Sequence, residues 1–320
     1  MQDRETVKDR LGRCGCQRTR PFGSGSSAPA RRTDIQNEPL PALFTLHRVV
    51  AACIALATLT TLGQTDEQLQ IERRLKAEYE GKVLLLRHFY QGDRLKYTIR
   101  GESLEGERPG IWTVDGRIKI VKLRWGNRTV EIEGDRLTLV YDDRSQEFKD
   151  QKSKQRVRVL VEAPSGSSEE NIRQAFGRIF LASMEPPAEM APTYWSAFLT
   201  TPKSERRDLR RRKPDYGEEV FVSGLTLNKG GSISAPRTVS VPDPNYTKVA
   251  REAKLQGTVV LSVVVTKEGT TDRILIVKPL GMGLDEAAVE VVSRWKFRPA
   301  LRDGQPLAAH VNIEVNFRLY

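Results

Sequence analysis

The stretch QGTVVLSVVV, residues 256–265, decides the fold of the C-terminal part of the chain. From Val259 onward, apolar residues at odd positions alternate with a mixed set at even positions. This period of two is typical of a strand with one face firmly buried. A turn signal at residues 267–269 follows, and residues 273–277 have the pattern of a second strand. The stretch therefore predicts a sheet built around one central strand.

Two short helices are predicted beside this sheet. Residues 246–255 form the first, after the prolines at 242 and 244 have stopped whatever precedes them. The second begins near Leu284, and two acids in its first turn complement the helix dipole. Apolar residues at helical spacing predict the face that packs on the sheet: Leu284, Ala287, Ala288, Val291, Val292 and Trp295.

The last ten residues before the C-terminal tyrosine alternate without interruption, which predicts a final strand. Its inward row is Val311, Ile313, Val315, Phe317 and Leu319, and its outward row is His310, Asn312, Glu314, Asn316 and Arg318. The order helix–strand–strand–helix–strand predicts an α+β module, with both helices on one face of a three-stranded antiparallel sheet.

Residues 64–200 are predicted to form a separate β-rich domain that ends in a helix. Seven strands are predicted, separated by turn signals such as those at residues 115–116, 126–127 and 134–135: residues 82–90, 94–100, 110–114, 117–123, 129–132, 136–141 and 156–162. A capping box at residues 167–170 starts the helix. The strand spacing favours a meander, a sandwich or a half-barrel.

The N-terminal region contains a targeting segment. Residues 1–40 are rich in Arg, Gly, Ser and Pro and are predicted to be a disordered basic leader. Residues 49–63 are apolar and uncharged, which fits the core of a signal peptide cleaved before Gln64. Together with residues 43–48, the same segment would form an uncleaved membrane anchor instead. Both interpretations export residues 64–320 from the cytoplasm.

The net charge of +11 favours acidic partners in general, but much of it lies in one segment. Residues 201–241 are predicted to be a basic linker, interpreted as a solvated spacer. Aromatic residues do not interleave with these arginines, and export argues against nucleic acid as a partner.

The sequence offers no chemistry for an enzyme. The chain has three histidines, and it lacks a Ser-His-Asp order, a His-Glu-x-x-His motif and a phosphate-binding glycine loop. All three cysteines lie at or before residue 53, so the downstream domains cannot carry disulfides. We therefore expect neither a metal, a cofactor nor a catalytic site.

Several short motifs occur in a fixed order towards the C-terminus: PNY at 244–246, QGTV at 256–259, KEG at 267–269, LDEAA at 284–288, RWKFRP at 294–299 and VNF at 315–317. In this order, they make residues from about 235 to 320 resemble the C-terminal domain of the TonB family. The residues that carry the motif, interpreted as structural, are Pro244, Tyr246, Gly257, Gly269, Leu284, Trp295, Phe297 and Pro299.

The resemblance implies a function at the cell envelope. The family's archetype spans the inner membrane and couples proton-motive force, through an ExbB–ExbD motor, to outer-membrane receptors. It pairs its last strand with a short receptor segment, which is β-augmentation. The partner-binding residues implied for this chain are His310, Asn312, Glu314, Val315, Asn316, Phe317 and Arg318. A free edge can also pair with a second copy of the chain.

The chain also departs from the family pattern. Thr247 stands where family members commonly have proline, and a β-rich domain replaces the archetype's long proline-rich spacer. The ExbB–ExbD partner is expected only if the apolar segment is retained. The alternative is a periplasmic ligand-binding or structural protein, in which the TonB-like module serves for docking without energy coupling.

Overall fold

The upstream part of the chain is built on a six-stranded sheet. The computed structural model describes residues 66–104, 108–212, 221–222 (backbone alone) and 233–319. The strand order is β2-β5-β4-β3-β1-β6, antiparallel except for the β2–β5 pair. The strands are β1 (Val83–Leu86), β2 (Arg94–Tyr97), β3 (Arg117–Trp125), β4 (Thr129–Asp142), β5 (Glu147–Glu162) and β6 (Phe180–Leu181).

Two longer helices, α1 (Asp66–Tyr79) and α3 (Glu169–Ile179), contribute to the core of this sheet, and the short α2 spans Trp112–Asp115. Ile71 and Leu75 of α1 and Phe176 of α3 are buried with the inward side chains of β3, β4 and β5. Ser168 caps α3 and forms a capping box with Asn171, one residue later than the box predicted at residues 167–170. Ion pairs from Arg74 and Arg173 to acids of the opposite helix join α1 to α3.

The predicted strand at residues 110–114 is wrong, because this segment contains the helix α2. The Asp115 carboxylate accepts a hydrogen bond from the Ile111 amide at 3.1 Å and closes the turn. The buried Arg136 guanidinium donates to the Asp115 carbonyl and, at 2.7 Å, to the Tyr90 carbonyl. The turn places Trp112 in the core, 1% exposed.

The predicted turn at residues 134–135 is also wrong, since β4 runs through it without a break. Gly134 is needed there for close contact between strands. A Cβ atom at this position would lie 2.4 Å from Ile118 Cγ2 and 2.9 Å from the Lys119 carbonyl oxygen of β3. The polar first half of β5, residues 147–155, shows no alternation and escapes prediction.

The C-terminal sheet has the order β11-β10-β15-β7, with β10 at its centre. Strands β10 (Gly257–Val265), β11 (Thr271–Lys278) and β15 (Ala309–Phe317) are antiparallel neighbours, and β7 (Phe221–Val222) runs parallel to β15. Helices α5 (Lys248–Glu252) and α6 (Leu284–Ser293) complete the module. Small ribbons join β9 (Arg237–Ser240) to β12 (Lys296–Arg298), and β8 (Ile233–Ser234) to β13 (Ala300–Arg302) and β14 (Gln305–Leu307). The predicted mixture of helix and strand is confirmed.

Both faces of β10 are buried from Val259 to Val265, whereas its pattern indicates one firmly buried and one mixed face. Helix α6 packs on β10 and β11. On the other face, α4 (Ser196–Thr200) and the basic 3₁₀ helix (Lys203–Arg211) contribute buried side chains to the same core as Val260. Two shorter 3₁₀ helices, Ala188–Met190 and Thr193–Trp195, precede α4.

The basic 3₁₀ helix belongs to the segment that was interpreted as a solvated spacer. This helix packs against the rest of the protein, because Arg206 and Leu209 are each 5% exposed. The leader and the apolar segment, residues 1–63, lie outside the described residues, as do residues 213–220 and 223–232 of the predicted linker. Within the described part of the chain, no helix is long and apolar enough to cross a membrane.

A backbone connection joins the C-terminal module to the upstream sheet. Gly281, in the loop between β11 and α6, forms an antiparallel bridge with Val140 of β4. The Tyr141 amide donates to the Leu280 carbonyl at 3.0 Å, and the Met282 amide donates to the Leu139 carbonyl at 2.9 Å. One hydrophobic core runs through this junction and includes Trp112, Trp195 and Leu261.

Candidate partner-binding edge

One side of β15 is fully paired, and the other side is mostly open. Nine residue pairs join β15 to β10, from Gly257 opposite Phe317 to Val265 opposite Ala309. On the other side, β7 pairs with Ala309 and His310 alone. Among the described residues, the edge from residue 311 to residue 317 therefore has no neighbouring strand. We call this stretch the open edge.

The inward side chains of the open edge anchor it in the core. Ile313, Val315 and Phe317 are 7%, 3% and 1% exposed. Phe317 meets Tyr246 edge to face, with 5.5 Å between ring centroids. The structure thus places the side chains of two sequence-predicted partner residues, Val315 and Phe317, inside the module. Their backbone remains at the open edge.

His310 does not lie in an exposed row, although the alternation predicts it there. It is 4% exposed, and its Nε2 lies 2.7 Å from the Ser262 hydroxyl of β10. Burial lowers the pKa of the imidazole. The difference arises because β7 pairs with β15 at this residue and Ser262 supplies a buried hydrogen-bond partner.

The remaining outward residues are exposed along the open edge. The Asn312 amide donates to the Arg210 carbonyl at 2.7 Å, which ties the strand to the basic 3₁₀ helix. The Asn316 side chain accepts a hydrogen bond from the Thr258 hydroxyl at 2.7 Å. Glu314 and Arg318 are exposed and make no ion pair within the described part of the chain. The outward surface is therefore polar. It carries the amides of Asn312 and Asn316, with the acid Glu314 between them and the base Arg318 after them.

The motif residues have structural positions in the module. Leu284 is fully buried, and Trp295 and Phe297 are each 9% exposed. Gly269 has a φ of +78°, and a Cβ there would lie 2.0 Å from the Phe297 carbonyl oxygen. The Phe297 amide donates to the Gly269 carbonyl at 2.8 Å, so this glycine permits a close backbone contact that a side chain would block.

The start of the module is held by Tyr246 and Thr247. The Tyr246 hydroxyl donates to the Leu255 carbonyl. Thr247, which departs from the family's proline, caps α5 by accepting from the Ala250 amide at 3.2 Å. Its hydroxyl also donates to the Met282 carbonyl at 2.7 Å, so Thr247 links α5 to the loop before α6. Pro244 and Pro299 are half-buried, and a Cβ on Gly257 would lie 2.7 Å from Leu280 Cδ1.

Two neighbouring acids at the start of α6 lie at the junction with the upstream part. Asp285 is fully buried, and its two oxygens accept from the Leu280 and Gly281 amides at 2.7 and 2.8 Å. The Glu286 Oε1 atom accepts from the Trp195 indole N–H at 2.9 Å, while Oε2 is buried and has no hydrogen-bond partner among the described residues. Burial raises the pKa of Glu286, and the adjacent Asp285 raises it further.

Of these two carboxyls, Glu286 is the one whose surroundings favour the protonated form. Both Asp285 oxygens are satisfied by amide donors, which favours the ionised form, whereas Glu286 has one donor for two oxygens. Sequence reasoning missed the role of this pair, and also of Trp195 and Gly281. The single sequence signal for these contacts is the apolar patch YWSAFL at residues 194–199.

The described residues contain no group of three or more His, Cys, Asp or Glu side chains that could hold a metal ion. The chemistry of the site therefore consists of backbone groups, amides and isolated charges. An open edge strand in an α+β module has the geometry to which an extended segment can add as a further strand.

Comparison with known proteins identifies the family of this module. Residues 242–319 match the family model described as the Gram-negative bacterial TonB protein C-terminal domain. The C-terminal module of this chain is therefore similar to the TonB C-terminal domain.

Three curated relatives resemble the same part of the chain. Protein TonB of Vibrio cholerae is 30% identical over 89 residues, covering 27% of this chain and 36% of that protein. Protein tonB2 of Pseudomonas aeruginosa is 37% identical over 79 residues, or 24% of this chain and 29% of that protein. Protein TonB of Xanthomonas campestris pv. campestris is 35% identical over 106 residues, or 33% of this chain and 41% of that protein. The chain thus spans between 29% and 41% of the length of these relatives.

Proposed function

We propose that this protein is a TonB-type envelope protein that captures an extended segment of an outer-membrane receptor along the open edge of β15. The observation that carries the proposal is that β7 covers Ala309 and His310, while residues 311–317 have no strand partner among the described residues. An added strand would hydrogen-bond to this backbone. The TonB C-terminal match at residues 242–319 supports the same use of the module.

The open edge is long enough for a short peptide. Seven residues span about 20 Å at about 3.3 Å per step. Each backbone hydrogen bond adds about 0.5–1.5 kcal/mol, part of which offsets the cost of ordering the incoming segment. The anchored core side chains Val315 and Phe317 keep the edge extended, so the chain itself needs little ordering on binding.

We propose that the protein also transduces energy if the apolar segment at residues 43–63 is retained as a membrane anchor. In that case the protein would be held in the inner membrane and would work with an ExbB–ExbD-type complex. N-terminal sequencing of the mature protein from the membrane fraction tests this part. A mature N-terminus at or near Gln64 would remove the motor role and leave docking alone.

The edge itself can be tested by disulfide cross-linking of the full-length chain. Cys14, Cys16 and Cys53 are first replaced by serine. Single cysteines then replace Glu314 or Asn316 on the open edge, or Asp272 on β11, the opposite edge of the sheet, as a matched control. The probes are peptides from outer-membrane receptors of the same bacterium, each carrying one cysteine.

We expect cross-links at positions 314 and 316 and none at position 272. Cross-linking of equal strength at position 272, or none at either edge position, would contradict receptor capture along β15. A cross-link between two copies of the chain would show that the edge pairs with itself. Val315→Pro should abolish capture, and its thermal unfolding curve shows whether the fold is retained.

A further inference from the structure

The basic 3₁₀ helix is a fixed part of the surface beside the open edge. Arg206 is anchored by two hydrogen bonds to the Glu185 carboxylate, at 2.8 and 2.6 Å. Its guanidinium also lies over the Phe198 ring, 4.1 Å from the ring centroid. Leu209 is buried in the shared core. The neighbouring exposed arginines are therefore held at defined positions rather than on a flexible spacer.

This helix ends next to the first residues of the open edge. The Arg210 carbonyl accepts the hydrogen bond from Asn312, and the chain then returns as β7 to pair with Ala309 and His310. Six of the ten residues 203–212 are Lys or Arg, and two are acids. Because those two acids, Glu205 and Asp208, pair with Arg212 and Arg211, they do not neutralise Arg210.

The charges along the edge have a definite order. Arg210 is exposed beside Asn312 and makes no ion pair within the described residues, and Arg318 is exposed just past the other end. Glu314 is exposed between them. From Asn312 to Arg318 the strand advances by about 20 Å, at about 3.3 Å per residue. The surface thus presents positive charge at both ends of the edge and negative charge in its middle.

We infer that the open edge selects an extended protein segment with an acidic side chain at each end, about six residues apart, and no acid between them. This inference rests on the proposed capture along β15 and names the chemistry of the captured segment. One carboxylate would lie beside Arg210 and the other beside Arg318, while Glu314 would repel an acid in the middle. The preference would be screened by salt, because all three charged groups are exposed.

The expected size of the effect is modest and measurable. An exposed ion pair changes a dissociation constant by about 1.4- to 5-fold. Two such pairs together change the dissociation constant by about 2- to 30-fold. Most of this difference should disappear when the salt concentration is raised well above physiological levels.

Three synthetic peptides test the inference against the full-length chain by fluorescence anisotropy. All three alternate threonine and valine. The first has aspartate at both ends, six residues apart, and the second has asparagine at these positions. The third has aspartate at the two middle positions that share a face with the ends, two residues in from each end, because Glu314 lies on that face. We expect the first to bind about 5-fold more tightly than the second in dilute salt, and the third to bind most weakly.

Variants identify the groups responsible. Arg210→Gln should reduce the preference for the first peptide over the second by about 2- to 5-fold. Arg251→Gln removes the same charge from an exposed position on α5 and should leave the preference unchanged. Equal loss in both variants would show a general effect of net charge and would overturn the inference.

The outcomes separate this inference from the proposed function. If the three peptides bind equally, or if a middle acid binds as well as terminal acids, the charge pattern is wrong while capture along β15 stands. If no peptide binds and no cross-link forms at positions 314 and 316, capture itself is wrong. Binding of anionic vesicles by Arg210 in place of any peptide would also overturn the inference.

Discussion

Gly281→Ala tests the junction between the two parts of the protein. Gly281 has a φ of +100°, in the left-handed region that favours glycine. A Cβ atom built on it would lie 2.2 Å from the Leu139 carbonyl oxygen and 3.0 Å from Val140 Cα. Because both neighbours are backbone atoms of β4, no side-chain rotation can relieve the clash. The loop must move away from the upstream sheet.

The cost follows from what that movement breaks. The hydrogen bonds from Tyr141 to Leu280 and from Met282 to Leu139, at 3.0 and 2.9 Å, join the loop to β4. Losing both costs about 1–3 kcal/mol, at about 0.5–1.5 kcal/mol each. The left-handed backbone adds about 1–2 kcal/mol once a Cβ is present. We therefore expect Gly281→Ala to lower the free energy of unfolding by about 2–5 kcal/mol.

Gly304→Ala is the matched control. Gly304 has a φ of +79° in the turn between β13 and β14, and no atom lies within 4 Å of the Cβ position. This variant should therefore cost about 1–2 kcal/mol from backbone strain alone. The entropy that alanine removes from the unfolded chain cancels in the comparison.

Urea denaturation of the two full-length variants measures the difference, which should be about 1–3 kcal/mol. Hydrogen exchange should in addition show faster opening of α6 in Gly281→Ala. If the two variants unfold at the same urea concentration with the same slope, the close backbone contact at Gly281 does not support the junction, and the reasoning is refuted.

Three further predictions concern the same junction and the start of the module. Burial raises the pKa of Glu286, so this carboxyl holds its proton more tightly in the folded protein than in the unfolded chain. The free energy of unfolding should therefore fall as the pH rises from the ordinary pKa near 4.5 through the raised value. Glu286→Gln should make the free energy of unfolding less dependent on pH, as measured by urea titrations at pH 5 to 8. Arg206→Met should lower the free energy of unfolding by about 3 kcal/mol, because it leaves the Glu185 carboxylate unpaired. Arg211→Met removes an exposed ion pair with an N–O distance of 3.7 Å and should change the free energy of unfolding by at most about 0.5 kcal/mol in the same assay. Thr247→Ala removes the cap of α5 and should lower the melting temperature by an amount equivalent to about 1 kcal/mol; an unchanged melting curve would show that the cap is dispensable.

Local periodicity explains the parts of the fold that the sequence predicts well. The last strand alternates strictly, and the structure buries Ile313, Val315 and Phe317 while exposing Asn312 and Glu314. Here one face meets a core and the other meets solvent, so the pattern of polarity records the environment directly. A capping box at the start of α3 is predicted for a similar reason, since its partners lie three residues apart.

The features that escaped prediction depend on neighbours far away in the chain. Gly134 has the sequence signature of a turn, but the structure uses it for close contact with β3. His310 belongs to a polar row, but Ser262 and β7 enclose it. Trp195 and Glu286 are 91 residues apart and meet by hydrogen bonding at the junction. Local composition contains no information about such contacts, because each depends on the completed tertiary structure.

The packing of the basic 3₁₀ helix affects how a mechanical load on the open edge would pass into the rest of the protein. A solvated spacer would let the C-terminal module reorient freely, and a pull on β15 would first straighten the chain. Arg206 and Leu209 instead hold the segment before β7 in the shared core, and Gly281 joins the module to β4. A pull along β15 would therefore load its nine residue pairs with β10 in shear and pass through β10 into that core. In this arrangement the upstream sheet and the C-terminal module would resist the load together, so the strength of the proposed receptor capture would depend on the junction as well as on the edge.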